Sequence, residues 1–291
     1  MDAPSIQWFP GHMAKTRRLM KESLPLVDAV VEMIDARIPR ASRNPEMDRL
    51  VGKKPRIVLL NKSDLADESA TREWLAFFRE HGIAAMAADS RSGKGLKAFL
   101  PLLRTELKEL SARRAARGMQ GKPLRAMVVG IPNTGKSSFI NRMAGGKRAQ
   151  VGDRPGVTRG AQWVSPASDV ELLDMPGVLW PKFEDKRVAE HLAFTGAIKD
   201  DIMDIEALAM RLLEVLHAGY PQALETRYKL PSGMTGDGPS LLTEIARRRG
   251  MLLPGAEVDI TRAAVAVLDE FRGGQMGRIT LERPSAGRRN G

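Results

Sequence analysis

The sequence predicts an α/β domain around a parallel sheet (residues 1–180), followed by a second, mostly helical domain (residues 181–291). Short apolar or β-branched runs alternate with helical patterns through the first two-thirds of the chain, as in α/β sheets. A glycine-rich loop joins one of these runs to a helix. After about Pro181, apolar residues recur mainly at helical spacing, with glycine and proline between the segments.

The individual elements follow from these patterns. Strands are predicted at 27–34, 56–60, 83–87, 124–129, 161–165 and 170–173, the last two close enough to form a hairpin. Helices are predicted at 44–51, 68–81 and 94–111, the last bent or broken at Pro101. In the second domain, helical spacing covers 187–194, 204–216, 241–249 and 260–271, and a short strand is predicted at 278–282.

Composition excludes several kinds of chemistry. The chain has 291 residues, no cysteine and 4 histidines, so disulfides, cysteine-ligated metals and thiol catalysis are excluded. No apolar run reaches the roughly 18–20 residues that span a bilayer, and the N-terminus lacks signal-peptide features, so we expect a cytoplasmic protein without a membrane anchor. The formal net charge of +11 favours a polyanionic partner, with a basic background composition as the alternative.

Residues 130–137, Gly-Ile-Pro-Asn-Thr-Gly-Lys-Ser, match the P-loop pattern. An apolar strand precedes them and a helix follows, which is the context that the pattern requires. Backbone N–H groups in such a loop surround phosphate oxygens, the lysine reaches the β- and γ-phosphates, and the serine binds Mg²⁺. The predicted nucleotide contacts here are Asn133, Thr134, Gly135, Lys136, Ser137 and Ser138, with Ser137 as a Mg²⁺ ligand.

Two further segments fit a nucleotide-dependent switch. Asp174-Met175-Pro176-Gly177 follows an apolar strand, where Asp174 can hold the Mg²⁺ shell and the Gly177 amide can sense the γ-phosphate. Thr158, between the P-loop and this segment, can complete the Mg²⁺ coordination, although it can also be an ordinary loop threonine.

Base recognition is predicted at Asn61-Lys62-Ser63-Asp64, which follows a strand. The Asp64 carboxylate can accept hydrogen bonds from N1–H and N2–H₂ of guanine, which adenine does not offer together, so the segment selects GTP over ATP. Lys62 can lie along the base, and Asn61 can connect neighbouring loops. After the next strand, Asp89 and Ser90 begin a segment whose backbone amides can contact the guanine carbonyl.

All five GTPase segments are thus present, but the base-recognition segments precede the P-loop. This order resembles that of circularly permuted GTPases with a Ras-like P-loop domain, and it is physically allowed because ligand loops lie at the carboxyl ends of parallel strands whatever their connections. Residues 6–15 (IQWFPGHMAK), together with Asp35-Ala36-Arg37, Asn61–Asp64 and Leu179-Trp180-Pro181-Lys182, resemble the bacterial ribosome biogenesis GTPase A family. The resemblance runs from about residue 6 to residue 198.

The resemblance implies GTP/GDP binding, hydrolysis during late assembly of the large (50S) ribosomal subunit, and binding to its ribosomal RNA; DNA is not expected, and a monomer is the default. The position of the Ras glutamine that orients water is Val178, which cannot hydrogen-bond. His12 is the candidate replacement, with helix capping as its alternative. Related P-loops with asparagine at the position of Asn133 bind K⁺, so we expect K⁺-stimulated hydrolysis.

Basic clusters provide the predicted RNA contacts. They comprise Lys15, Arg17, Arg18 and Lys21 near the N-terminus and Arg247, Arg248 and Arg249 at the end of a helix. Trp8 and Phe9 can stack on bases, but core packing is their commoner role. A nucleotide-gated RNA-binding scaffold with incidental hydrolysis, and a GTPase of another RNA-linked process such as tRNA modification, remain alternative functions.

Overall fold

A computed structural model describes residues 10–119, 121–145, 161–180 and 185–284, with side chains from residue 14 onward. The described residues divide into two compact units. One unit contains the residues up to 180 together with 282–284, and the other is Asp185–Leu281. The predicted helical domain, 181–291, therefore extends too far, because the described end of the chain, 282–284, belongs to the first unit.

The first unit is built on a six-stranded sheet. The strands are β1 (Ala29–Asp35), β2 (Arg56–Asn61), β3 (Ala84–Ala87), β4 (Leu124–Gly130), β5 (Gln162–Ala167) and β6 (Val170–Asp174), in the order β3-β2-β1-β4-β6-β5. All neighbouring pairs are parallel except β5 and β6, which form an antiparallel pair. The predicted parallel sheet and its closing hairpin are therefore confirmed.

Six helices of the first unit cover both faces of this sheet. They are α1 (Pro10–Ser23), α2 (Glu46–Val51), α3 (Glu68–Glu80), α4 (Phe99–Glu106), α5 (Lys108–Ala116) and α6 (Lys136–Met143). On one face, Phe99 of α4 and Phe139 of α6 pack with alternate residues of the central strands. On the other face, Met20 of α1 and Met47 of α2 join one cluster, and Phe78 of α3 joins another. Because both faces are covered, the strands are almost continuously apolar.

The helix predicted at 94–111 is broken, but at a different residue from the one expected. Pro101 is the third residue of α4, where its missing N–H would have no partner in the helix. The break lies at Leu107, which ends α4 and precedes α5 with φ −104° and ψ 12°. The Leu107 side chain is buried in the core beside α4 and the sheet.

The second unit contains five α-helices, of which α8 packs against both α10 and α11. They are α7 (Lys186–Phe194), α8 (Ile205–Gly219), α9 (Pro221–Tyr228), α10 (Gly238–Arg248) and α11 (Ile260–Arg272). Four of these helices begin after an aspartate whose carboxylate accepts a backbone N–H of the first turn: Asp185, Asp204, Asp237 and Asp259. Such caps satisfy N–H groups that the helix leaves unpaired.

Two sequence predictions for the second unit need correction. No helix is predicted between residues 216 and 241, yet α9 forms there, because Pro221 occupies the first helical position, where proline is tolerated. The predicted strand at 278–282 does not form. In that segment the Thr280 carbonyl accepts a hydrogen bond from the Tyr220 hydroxyl at 2.9 Å, so side chains and not a strand partner fix the backbone. Within the described part of the chain, none of the helices is long and apolar enough to cross a membrane.

Candidate functional site

The predicted nucleotide-binding segments meet at one edge of the sheet. Strands β1, β2, β4 and β6 end at Asp35, Asn61, Gly130 and Asp174, and β3 leads into the loop that contains Asp89. The strands are parallel, so their carboxyl ends lie side by side although the segments are far apart in sequence. The permuted order of the segments therefore still produces one site.

The P-loop connects β4 to α6 through a backbone that needs glycine. Gly135 has φ +84°, and a Cβ there would lie 2.3 Å from Nδ2 of Asn61. A Cβ on Gly130 would lie 2.7 Å from the Met33 carbonyl oxygen. The backbone of Asn133 also lies in the left-handed region, with φ 62°, a conformation that asparagine tolerates better than most residues. These positions allow the loop to curl tightly in front of α6.

Lys136 and Asp174 form a buried ion pair in this site. The Nζ atom of Lys136 lies 2.5 Å from Oδ1 of Asp174, and the two residues are 5% and 2% exposed. Burial raises the pKa of the Asp174 carboxyl, and the adjacent ammonium only partly offsets that shift. The P-loop lysine thus lies next to the carboxylate at the end of β6. A phosphate can replace Asp174 as the partner of Lys136, and a cation can replace Lys136 as the partner of Asp174.

The switch segment after β6 lies against the P-loop. A Cβ on Gly177 would lie 3.2 Å from the backbone nitrogen of Pro132, and the Val178 N–H donates to the Gly130 carbonyl at 3.3 Å. Val178 is 7% exposed, so an apolar side chain is buried at the position of the Ras glutamine. Ser137 and Ser138 are half-buried in the first turn of α6.

The residues present fit a Mg²⁺ ion. A serine hydroxyl at the start of α6 and a carboxylate at the end of β6 are hard oxygen donors, and Mg²⁺ is usually bound by one or two such groups together with phosphate and water. Asp174 lies within this site, since it contacts the side chain of the residue before Ser137. Thr158, the third predicted ligand, lies outside the described residues.

Asn61 connects three loops of the site. Its Nδ2 donates to the Thr134 carbonyl at 2.7 Å, and its Oδ1 accepts from both the backbone N–H and the hydroxyl of Ser90, at 2.9 and 2.7 Å. Thr134 in turn donates through its hydroxyl to the Ile131 carbonyl at 3.0 Å. The side chain predicted to connect neighbouring loops therefore joins the base-recognition segments to the P-loop.

Asp64, the predicted guanine-binding residue, is half-buried. Burial and the nearby carboxylate of Asp89 raise the pKa of the Asp64 carboxyl, while Arg37 and Arg91 oppose the shift. The Asp89 carboxylate accepts the N–H groups of Arg91 and Ser92, at 2.8 and 3.1 Å, so it shapes its own loop. Ser63 supports the same region, because its N–H donates to the Ala88 carbonyl at 3.1 Å.

Asp35 and Arg37 are two site residues for which the sequence predicts no role. Both are buried, and the Arg37 Nε and Nη2 atoms donate to the two carboxylate oxygens of Asp35 at 3.0 and 2.8 Å. The Nζ atom of Lys62 lies 3.1 Å from the same carboxylate. Burial by itself would raise the pKa of the Asp35 carboxyl, but the two cations hold that pKa well below its usual range. An acidic residue at the carboxyl end of a mostly apolar strand was the available signal.

His12 lies within α1, which begins at Pro10, so the structure does not support the alternative in which it caps a helix starting at Met13. Its side chain, like Trp8 and Phe9 as a whole, lies outside the described part of the chain.

The two basic clusters differ in their surroundings. Arg247 and Arg248 both pair with Glu244, and Arg249 pairs with Glu270. In α1, Arg17 and Arg18 pair with Glu46 and Glu22. Lys15 and Lys21 are exposed on the same helix and form no ion pair among the described residues. The cluster in α1 therefore offers more accessible positive charge than the cluster at the end of α10.

The strand order, the P-loop and the connected base-recognition loops define a circularly permuted P-loop GTPase. The family described as "50S ribosome-binding GTPase" matches residues 125–218. Ribosome biogenesis GTPase A of Priestia megaterium is 48% identical over 283 residues, which are 97% of this chain and 98% of the relative. The Thermotoga maritima protein of the same name is 33% identical over 279 residues, 96% of this chain and 95% of the relative.

Solved structures agree. GDP-bound YlqF and GNP-bound YlqF from Thermotoga maritima each have a TM-score of 0.66 and 30% identity to this chain. The match to the GDP-bound structure covers 91% of this chain and 98% of the YlqF chain, and the match to the GNP-bound structure covers 93% of this chain and 99% of the YlqF chain. The chain belongs to the ribosome biogenesis GTPase A family. It is a guanine-nucleotide-binding GTPase of ribosome biogenesis.

Proposed function

We propose that this GTPase acts in late assembly of the large (50S) ribosomal subunit, binds its ribosomal RNA, and leaves the subunit when GTP is hydrolysed. The observation that carries the proposal is the extent of the similarity, which covers 97% of this chain in a ribosome biogenesis GTPase A and so includes the second unit. A family described as 50S ribosome-binding matches residues 125–218, and the net charge of +11 suits an RNA partner.

Different residues of the chain bind the phosphates, the guanine base and Mg²⁺. The P-loop backbone and Lys136 hold the β- and γ-phosphates, and Lys136 would exchange its contact with Asp174 for one with phosphate oxygens. Asp64 accepts the guanine N–H groups. Ser137, Asp174 and Thr158 would hold Mg²⁺, which neutralises the charge that develops on the phosphates during hydrolysis. Ordering of Thr158 and Gly177 would report the γ-phosphate to the ribosome.

Slow intrinsic hydrolysis follows from Val178. A buried valine cannot orient the attacking water, so another group must do so. We assign that role to His12, whose neutral imidazole can hydrogen-bond water near neutral pH. Asn133 would bind K⁺ beside the phosphates and supply positive charge there. Slow hydrolysis by the free protein would then mean that His12 reaches the attacking water only when the protein is bound to the ribosome.

The first RNA contact is assigned to α1. Lys15 and Lys21 are exposed there without an ion pair among the described residues, whereas the arginines at the end of α10 pair with Glu244 and Glu270. Contacts from lysines to phosphates would position the protein and add salt dependence without reading sequence.

GTP turnover by the purified protein in K⁺ buffer, with and without large ribosomal subunits, tests the proposal. We expect strong stimulation by the subunits, its loss in His12→Ala, and weaker subunit binding in Lys15→Glu/Lys21→Glu. The control double variant, Lys53→Glu/Lys108→Glu, makes the same charge change at exposed lysines elsewhere in the first unit. Equal weakening by both double variants would show that overall charge, and not α1, carries the binding.

The outcomes separate the main proposal from the scaffold alternative, with which Val178 is compatible. Tight, GTP-dependent binding to the subunits without stimulation of turnover would support a nucleotide-gated scaffold. Absence of binding to the subunits would contradict both proposals and favour another RNA-linked process.

A further inference from the structure

The carboxylate of Asp35 lies between two cations at the edge of the nucleotide site. Arg37 holds both of its oxygens through Nε and Nη2, and the Arg37 backbone N–H also donates to Oδ1 at 3.0 Å. Lys62 approaches Oδ2 at 3.1 Å. The side chains of Asp35 and Arg37 are 3% and 1% exposed, whereas that of Lys62 is 20% exposed. The lysine is therefore the most solvent-exposed member of this cluster.

The backbone makes this contact possible. Asp35 pairs with Asn61 across the parallel strands β1 and β2, so Lys62 is the first residue beyond that register pair. Lys62 has φ 57°, in the left-handed region that residues other than glycine rarely adopt. The Ala36 N–H donates to the Asn61 carbonyl at 2.8 Å, which extends the strand pairing to this point. The geometry thus turns the lysine back toward the end of β1.

The loop that carries Arg37 is itself fixed. The Asp35 N–H donates to the Ser42 hydroxyl at 3.0 Å, and that hydroxyl donates to the Ile38 carbonyl at 2.7 Å. Ile38 and Ala41 are buried. A buried arginine with two parallel hydrogen bonds to a carboxylate has little freedom, so Asp35 presents its oxygens to Lys62 in one orientation.

We infer that Asp35 and Arg37 are positioning residues for guanine-nucleotide binding, acting through Lys62. They hold the Lys62 side chain where its methylene groups can flank the purine while Asp64 reads the base edge. This inference rests on the proposed nucleotide site and adds a group to it that touches no ligand. Arg37 also favours the charged state of Asp64, since its guanidinium opposes the pKa rise caused by burial and Asp89.

A double-mutant cycle tests the inference, because two residues that act through one contact are not additive. The variants are Asp35→Asn, Lys62→Gln and the two together, and the measurement is equilibrium binding of fluorescent GDP, with unlabelled ADP as competitor. We expect Asp35→Asn to weaken GDP binding about tenfold in the wild-type background and less than twofold in the Lys62→Gln background. Equal losses in both backgrounds would overturn the inference.

Asp28 provides a matched control at the other end of the same strand. Its carboxylate accepts two hydrogen bonds from Arg114, at 2.6 and 3.0 Å, and one from the Arg125 N–H at 2.9 Å. Asp28→Asn therefore removes a similarly paired carboxylate far from the site. We expect its GDP affinity to equal that of wild type, whereas a loss equal to that of Asp35→Asn would identify a general stability effect and overturn the inference.

Arg37→Lys keeps the positive charge but loses the two parallel hydrogen bonds to Asp35. If thermal unfolding shows that Asp35→Asn does not fold, Arg37→Lys tests in its place whether the pair acts through Lys62. We expect a smaller loss of GDP affinity that again disappears in the Lys62→Gln background; an additive loss would overturn the inference. Failure of the proposed guanine-binding site would look different. Wild-type protein would then not prefer GDP to ADP, whereas failure of this inference leaves that preference intact.

Discussion

Asp64 combines two demands on one carboxylate. It must be ionised to accept two guanine N–H groups, yet burial and the neighbouring Asp89 raise its pKa, while Arg37 and Arg91 oppose the shift. Each hydrogen bond to a charged group contributes about 1.5–3 kcal/mol. We therefore expect Asp64→Asn to weaken GTP binding by at least that amount and to relax the preference for guanine over adenine. Competition binding with GDP and ADP measures both effects.

Xanthosine diphosphate provides the control for Asp64→Asn. Its C2 carbonyl can accept a hydrogen bond from an asparagine amide, so the variant should bind it better than GDP. Wild-type affinity for GDP should also fall with decreasing pH at a higher pH than an ordinary aspartate would produce, because a protonated carboxyl cannot accept both bonds. The variant should lack this titration. An unchanged guanine preference would mean that the base pocket lies elsewhere.

At this scale, sequence patterns predicted the side chains that carry general chemistry. Asn61, Lys136 and Asp174 lie together, as motifs with a strand before each of them indicated. The Asp35–Arg37 pair could not be assigned a role from sequence, because its importance comes from the register of β1 against β2. A spacing of two residues within one segment does not reveal a contact with Lys62 in another.

At the scale of elements, apolar runs located the five parallel strands within a few residues, because a sheet covered on both faces gives almost continuous apolar segments. Helix ends were harder to predict. Proline in a first helical turn is harmless, so Pro101 and Pro221 did not mark breaks, whereas the break at Leu107 has no turn residue to signal it. The segment 278–282 has a strand-like pattern, but none of its residues joins a sheet.

The segment that contains Glu282 has no regular secondary structure, but it is bound to the first unit by hydrogen bonds. The Glu282 carboxylate accepts the N–H groups of Arg40 and Ala41, at 2.6 and 3.1 Å, and the Glu282 carbonyl accepts from Nε1 of Trp74 at 3.0 Å. We expect Glu282→Gln to lower the free energy of unfolding of the first unit by about 1–3 kcal/mol, because the amide nitrogen cannot accept a hydrogen bond and the remaining acceptor oxygen carries no charge.

Tryptophan fluorescence during urea unfolding measures this effect, since all 4 tryptophans lie before residue 185 and report on the first unit. Glu80→Gln is the control, because Glu80 is an exposed glutamate on α3. Equal midpoints for the two variants would show that the Glu282 contacts contribute nothing to stability.

At the scale of the whole molecule, the proposed K⁺ site links activity to the cation of the medium. Turnover should be several-fold faster in K⁺ than in Na⁺ at matched ionic strength, because the smaller Na⁺ fits the same oxygen ligands poorly. Asn133→Gly keeps the left-handed backbone and removes the side-chain amide, so it should abolish the difference. Equal wild-type rates in the two salts would contradict the K⁺ proposal.

The return of residues 282–284 to the first unit changes what kind of domain the helical unit is. It is inserted into the GTPase unit and not appended to it, since the chain leaves after β6 and comes back at Glu282. An inserted domain is joined to its host at two points. If the helical unit alone unfolds, it becomes a long loop between these two points of the GTPase unit, and the entropic cost of closing a loop grows only slowly with its length. Excision of the helical unit therefore needs an internal deletion with a linker. A stop codon at residue 185 would remove part of the GTPase unit as well.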